Sequence, residues 1–175
     1  MEEFVVLVDE MDNEIGLMEK QQAHIEGKLH RAISVFIFDT KGNFLLQQRA
    51  FTKYHSGGLW TNTCCSHPRQ GEDVLEAAHR RLYEEMGIQC ELKEIFHFIY
   101  KANFENNLTE HEFDHVLMGI TDAIPNPAPE EVFSFKYIDN QQLENDIAIN
   151  GNNYTVWFKI CLPHLMQFLV TTKQG

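Results

Sequence analysis

The residues able to do chemistry fall into three clusters in this chain: His24-x5-His30, Cys65-Ser66-His67 and Glu110-x-Glu112. Three imidazoles and two carboxylates make a five-ligand nitrogen and oxygen set with one position open, which suits Mn2+, Zn2+ or Mg2+ better than a closed thiolate zinc site. On a strand, a period of two sends both glutamates to one face, so Glu110 and Glu112 can converge on one ion. Each residue alone has an ordinary reading, a satisfied histidine or a solvated strand edge. Only their joint appearance points to a metal.

Cys64 and Cys65 pose a separate question. Adjacent cysteines do not easily both reach one tetrahedral ion, and no C-x2-C pair accompanies them. Either can be a buried small apolar group. Beside a ligating histidine and a loop of basic residues, Cys65 can instead be a thiol tuned for proton transfer. Downstream, Glu72, Arg80, Glu84, Glu85 and Gly87 stand at spacings that project a carboxylate cluster from a helix, a place to hold a divalent cation on a diphosphate. Arg81 and Glu85 are one turn apart and read equally well as an ion pair on an exposed helix. Lys20, Arg49 and Lys53 flank these clusters and can grip phosphate oxygens or simply be solvated.

The elements that must position these residues are legible in coarse form. A strand is expected near residues 3–8, then a turn over DEMDNEIG and a helical patch LMEKQQAH. AISVFIFD (32–39) and FLLQQRA (44–50), joined by TKGN, give the clearest hairpin signal. After the loop FTKYHSGGLW comes the strongest helix, DVLEAAHRRLYEEM (73–86), with Val74, Leu75, Ala78 and Leu82 on one face and Gly87 as its stop. Strands are expected in ELKEIFHFIYKANF and HEFDHVLMGITD, separated by ENNLT, and in VFSFKYID after the Pro-rich loop IPNPAPEE. The tail from about 140 is helical in character, with Pro163 marking a break or a first turn. The pattern is a mixed sheet flanked by helices, an α/β or α+β fold in one domain over 1–175.

Composition narrows the partners. A net charge of −12 with only 14 Lys and Arg argues against tracking a nucleic acid backbone. The run FVVLV follows two acids and is too short for a signal peptide, and no apolar run is long enough to cross a bilayer. A cytoplasmic protein with four reduced cysteines is expected.

Residues Ser66 to Ile88 resemble a Nudix box, G-x5-E-x7-R-E-U-x-E-E-x-G-U with U a bulky aliphatic, through Glu72, Arg80, Leu82, Glu84, Glu85, Gly87 and Ile88. Ser66 replaces the leading glycine. Arg81 replaces the glutamate after the arginine, which in the hydrolases belongs to the metal cluster, so a cation stands where an anion is needed for pyrophosphate cleavage. Together with T-N-x-x-C-S-H-P, the two upstream histidines and E-x-E, the chain is similar to the type 1 isopentenyl-diphosphate isomerases, a non-hydrolytic branch of the Nudix superfamily. The likeness covers roughly residues 20 to 112 and weakens beyond, resting there on Trp157.

That resemblance implies a Nudix-type α/β/α sandwich with a mixed sheet and the interconversion of isopentenyl and dimethylallyl diphosphate. It implies that His24, His30, His67, Glu110 and Glu112 hold one Mn2+, Mg2+ or Zn2+, and that Glu85 holds a diphosphate-bound Mg2+ together with the Cys65 carbonyl. Cys65 and Glu112 would be the catalytic pair, with Tyr100 in the relay. Lys20, Arg49, Lys53 and Ser66 would meet the diphosphate, joined by Arg81. Trp157 would offer its π-face to a carbocation or serve as core packing. The expected partner is a small prenyl diphosphate, with no nucleic acid or membrane, for a monomer or weak dimer. The rival enzyme reading is a Nudix diphosphate hydrolase.

Overall fold

Strand β3 (His30–Phe38) organises the sheet in the computed structural model, which describes residues 3–173. The outer limits of the expected domain, 1 and 175, lie outside those residues. Along one edge β3 pairs in parallel with β8 (Thr109–Ile120) over its whole length, from His30↔Glu112 to Phe38↔Ile120. Along the other edge it meets three strands in succession: β1 (Phe4–Val8) at His30, β6 (Cys64–Ser66) from Ile33 to Val35, and β4 (Phe44–Arg49) at Ile37 and Phe38.

The expected hairpin therefore exists only at its tip. Beyond two residue pairs β4 leaves β3 and pairs with β9 (Val132–Ile138) and with the two-residue β5 (Trp60–Thr61). The split leaves backbone groups to satisfy, and polar side chains do so. Thr63 accepts from the Ile37 amide and donates to the Leu45 carbonyl, while the Asn62 amide donates to the carbonyls of Val35 and Cys64.

The outer hairpin corrects the expected helical patch. Leu17–Glu19 belong to β2 (Glu14–Glu19), antiparallel to β1, and helix α1 (Lys20–Glu26) starts one residue later. Glu19 explains the boundary, because its carboxylate accepts from the amides of Gln21 and Gln22 and caps the helix. β7 (Lys93–Asn103) completes the sheet by pairing antiparallel with β8.

The period of two divides the core. Ile33, Val35, Ile37 and Leu117 face helix α2 (Val74–Met86), packing against Ala77, Ala78, Leu82 and Met86. Phe36, Phe38 and Val116 face the opposite side, where α3 (Asn140–Asn150) supplies Leu143 and α4 (Val156–Lys173) supplies Phe158 and Leu165. Burying a side chain such as Leu82 contributes roughly 1.5–3 kcal/mol. Helices on both faces of a mixed sheet make the expected sandwich.

Helix α2 begins at a capping box, Asp73 with Glu76, and ends at Gly87, whose φ of +65° favours glycine. A Cβ there would meet the Asn126 carbonyl oxygen at 2.7 Å. Its buried face differs from the expected one: Leu75 is exposed, and Ala77, Glu85 and Met86 join Ala78 and Leu82. Periodicity gives the direction of an apolar stripe but not how far the neighbouring layer covers it. Pro163 likewise neither breaks nor starts a helix; it lies inside α4. The buried Trp157, Phe158, Cys161, Leu162 and Leu165 hold both sides of it, and this packing outweighs the lost backbone hydrogen bond. Among the described residues no helix is long and apolar enough to cross a membrane, and all four cysteines are free.

Candidate active site and metal centre

The parallel pairing of β3 and β8 sets His30 beside Glu112 on the sheet face opposite α2. His24 comes from α1 and His67 follows β6. The ligand atoms of His24, His30, His67 and Glu112 all lie within 4.8 Å of one another. Glu112 Oε1 is 3.2 Å from His67 Nε2 and 3.5 Å from His30 Nε2.

The second nitrogens show which atoms are available. His30 Nδ1 lies 2.8 Å from the Lys28 carbonyl oxygen and must donate to it, leaving Nε2 with its lone pair. His24 Nδ1 is 2.8 Å from the Tyr54 hydroxyl. The Nε2 atoms of His24 and His30 are buried without a hydrogen-bond partner. Burial, reinforced by the neighbouring His67 and His30, pushes His24 down to about 3, and burial also lowers His67. Three imidazoles around a carboxylate form an N3O set, and the partnerless Nε2 atoms of His24 and His30 fit a divalent cation.

Glu110 stands beside this group rather than in it. The shared face nevertheless brings both carboxylates to one atom, the Tyr100 hydroxyl. Glu110 Oε2 lies 3.0 Å from the Tyr100 hydroxyl, and its Oε1 lies 3.8 Å from His55 Nε2. Burial, then the nearby Glu112 charge, raise Glu110 well above the usual carboxylate range. Glu112 moves the opposite way: burial opposes its ionisation, but the adjacent His30 and His67 imidazoles prevail and lower it.

Strand alternation answers the cysteine question. On β6, Cys64 turns into the α2-side core and is fully buried, whereas Cys65 packs against the other cluster. The Cys65 thiol donates to Asn62 Oδ1 at 2.8 Å, and its sulfur is 3.8 Å from Ser34 Oγ. Burial and the neighbouring Asp114 push this thiol up, so it keeps its proton at neutral pH.

Cys65, Tyr100, Glu110, Glu112 and Trp157 line one cavity of about 620 Å³, and Lys20, Arg49, Lys53, Ser66, Arg81 and Glu85 line it too. Most of these cations are matched by carboxylates. Lys20 pairs with Glu3 at 2.9 Å, Lys53 with Glu131, and Arg81 with Glu85 at 2.5 Å. Arg49 is different: its guanidinium sits 5.1 Å from the Trp157 ring centroid, and its Nε is buried without a partner. Trp157 is thus both a wall of the cavity and a core residue.

The expected carboxylate cluster on α2 is dispersed. Glu72 is held by Arg80 at 2.6 Å, and the half-exposed Glu84 pairs with Arg80 and Arg81. Glu85 alone of the three lines the cavity, accepting from Gln47 Nε2 at 2.8 Å. The Arg81–Glu85 pair is largely buried, not the exposed helix pair of the alternative reading. The acidic companions come from elsewhere, Glu3 and Glu131. Burial raises Glu131, but Lys53 and Arg81 outweigh it and hold the carboxyl below its usual range.

Sequence reasoning missed Tyr54 and His55, which line the cavity from the loop after β4. His55 meets Tyr54 and Trp157 edge-on, and burial together with Arg49 pushes it down to about 3. A loop has no hydrophobic period, so nothing marked these side chains as inward-facing.

Fold and site together define a Nudix protein: the NUDIX domain pattern matches residues 28–158. DR0079 from Deinococcus radiodurans shares the fold, with a TM-score of 0.70 at 19% identity over 85% of this chain and 90% of that one. The isopentenyl-diphosphate Delta-isomerase of Serratia proteamaculans is 53% identical over 94% of this chain and 92% of its own length. That of Pectobacterium atrosepticum is 49% identical over 94% and 92%. The chain belongs to the isopentenyl-diphosphate Delta-isomerase family of Nudix proteins.

Proposed function

We propose that this protein interconverts isopentenyl and dimethylallyl diphosphate. The observation that carries this reading is one cavity lined by Cys65, Tyr100, Glu112 and Trp157 together with the cations Lys20, Arg49, Lys53 and Arg81. Acid–base groups and phosphate-binding groups share a single space.

An unactivated alkene is a weak base. Protonating its terminal CH2 forms a C–H bond and leaves positive charge on the tertiary carbon; removing a proton from the adjacent CH2 re-forms the double bond one place along. Glu112, with the Tyr100 hydroxyl 2.6 Å from its Oε2, serves one proton transfer, and the Cys65 thiol serves the other. The direction of reaction decides which group gives first. Trp157 faces the intermediate charge, a contact expected to be worth up to about 2 kcal/mol in a dry site. The basic residues and Ser66 hold the diphosphate, and that binding energy fixes the five-carbon chain between the two acids.

His24, His30, His67 and Glu112, with Glu110 beside them, would hold Mn2+, Mg2+ or Zn2+, and Glu85 would hold a Mg2+ on the diphosphate. Such a cation at the histidine site supplies Lewis acidity that sharpens the Glu112 carboxyl as an acid.

Diphosphate hydrolysis is the rival activity, and Arg81 opposes it by placing a cation against Glu85 where hydrolases of this class gather carboxylates. A time course with isopentenyl diphosphate and Mg2+ separates the two. Dimethylallyl diphosphate without phosphate release is expected; rapid release of phosphate without isomer would overturn the proposal.

A further inference from the structure

On the opposite face of β8 from Glu112 and Asp114 lies a second group of ligating side chains, remote in role from the cavity: Glu94, His97 and His115, with ligand atoms within 4.8 Å of one another. We propose that these three residues form a second site for a borderline divalent cation such as Zn2+.

The backbone builds this group deliberately. His97 and His115 are direct cross-strand partners on β7 and β8, with ring centroids 5.8 Å apart. Glu94 is three residues from His97, an odd spacing that would send it to the other face of a regular strand. The ladder slips between Glu94 and Phe96, so Glu94 opposes Leu117, which shares a face with His115. A bulge of this kind re-aims a side chain. It brings Glu94 Oε1 to 2.6 Å from His115 Nδ1 and 3.9 Å from His97 Nδ1.

Asp12 supplies the second, independent observation. Its Oδ2 lies 3.0 Å from His115 Nε2, while Arg31 donates to its Oδ1 and to its carbonyl, each at 2.7 Å. A carboxylate anchored by an arginine thus orients the far nitrogen of a buried histidine. Carboxylate, imidazole and metal in that order is the outer-sphere arrangement that orients histidine ligands. His115 Nδ1 lies 2.6 Å from Glu94 Oε1, a hydrogen-bond contact that a bound cation would open and replace. Arg31 does not repel the ion strongly, because Asp12 neutralises it. His97 and Glu94 are largely exposed, so the open positions are accessible to water. Two nitrogens and an oxygen favour Zn2+ over Mg2+.

Equilibrium dialysis of the full chain against Zn2+, with metal counted per chain, tests the site in parallel for wild type, His97→Ala, Glu94→Gln and the control His164→Ala, which alters an exposed histidine on α4. Wild type and His164→Ala should carry one more zinc than His97→Ala and Glu94→Gln, with isomerisation unchanged in all four. In NMR of 15N-imidazole-labelled wild type, the last zinc to bind should shift the His97 and His115 Nδ1 resonances. Equal zinc in wild type and His97→Ala would overturn the site. So would an equal loss in His164→Ala, or His97 and His115 resonances that stay still. The zinc counts and the imidazole resonances do not depend on the isomerase reading.

Discussion

Tyr100 donates to Glu112 Oε2 at 2.6 Å and stands 3.0 Å from Glu110 Oε2, bridging two carboxyl groups with one hydroxyl. A phenol has one proton to give. The consistent arrangement has the raised Glu110 carrying its own proton toward the Tyr100 oxygen, and Tyr100 donating to the ionised Glu112. The chain Glu110, Tyr100, Glu112 is therefore ordered in direction, and it points into the cavity.

Removing the bridge should slow chemistry more than binding. Tyr100→Phe keeps the ring in the core but loses the hydroxyl. A fall in kcat of about 100-fold is expected, at the low end of general acid–base effects, with KM changed little. Steady-state kinetics with isopentenyl diphosphate checks this, and an unchanged kcat would remove Tyr100 from the relay.

Arg81 should behave as a binding residue. Arg81→Ala removes a charge-assisted contact worth roughly 1.5–3 kcal/mol and leaves Glu85 without its 2.5 Å partner. KM for the diphosphate should rise about tenfold or more, with kcat less affected. The same kinetics, run over a range of Mg2+, reads the effect.

Two leucines of α2 separate sequence pattern from actual packing. Leu82 is fully buried, and Leu82→Ala should cost about 2–5 kcal/mol. Leu75 lies a heptad earlier on the same nominal stripe but is exposed, and Leu75→Ala should stay within about 0.5 kcal/mol. Urea denaturation of both variants gives the comparison.

That contrast also shows what was legible beforehand. Cys65, the three histidines and Glu112 stood out because unusual residue types at fixed spacings are local information, and the structure gathers them along β3 and its partners. Partnership across the sheet was not local. Nothing in FLLQQR says that β4 deserts β3 after two pairs, and nothing in E-x-E says that one tyrosine hydroxyl joins the two carboxylates. The loop bearing Tyr54 and His55 and the distant acids Glu3 and Glu131 reach the cavity only through tertiary closure. The bulge at Ile95 is equally invisible, since alternation assigns Glu94 to the wrong face.

His55 should make stability depend on pH. Its folded value of about 3 lies below the ordinary imidazole value of 6.5. The unfolded chain takes up a proton that the folded chain refuses, so the stabilisation is complete above pH 6.5 and is lost as pH falls toward 3. The slope from this one group is at most about 1.4 kcal/mol per pH unit. His55→Gln should flatten it, measured by urea denaturation at pH 7 and pH 5. A wild-type profile matched by the variant would contradict the burial argument.

The central claim is that Cys65 and Glu112 exchange protons with a five-carbon chain in the cavity they share. Proton NMR of isopentenyl diphosphate with Mg2+ in deuterated water follows it directly. Wild type should place deuterium in both the substrate pool and the dimethylallyl product, whereas Cys65→Ala and Glu112→Gln should lower product formation by about 100-fold or more. Deuterium uptake and product at wild-type rates in either variant would contradict the assignment.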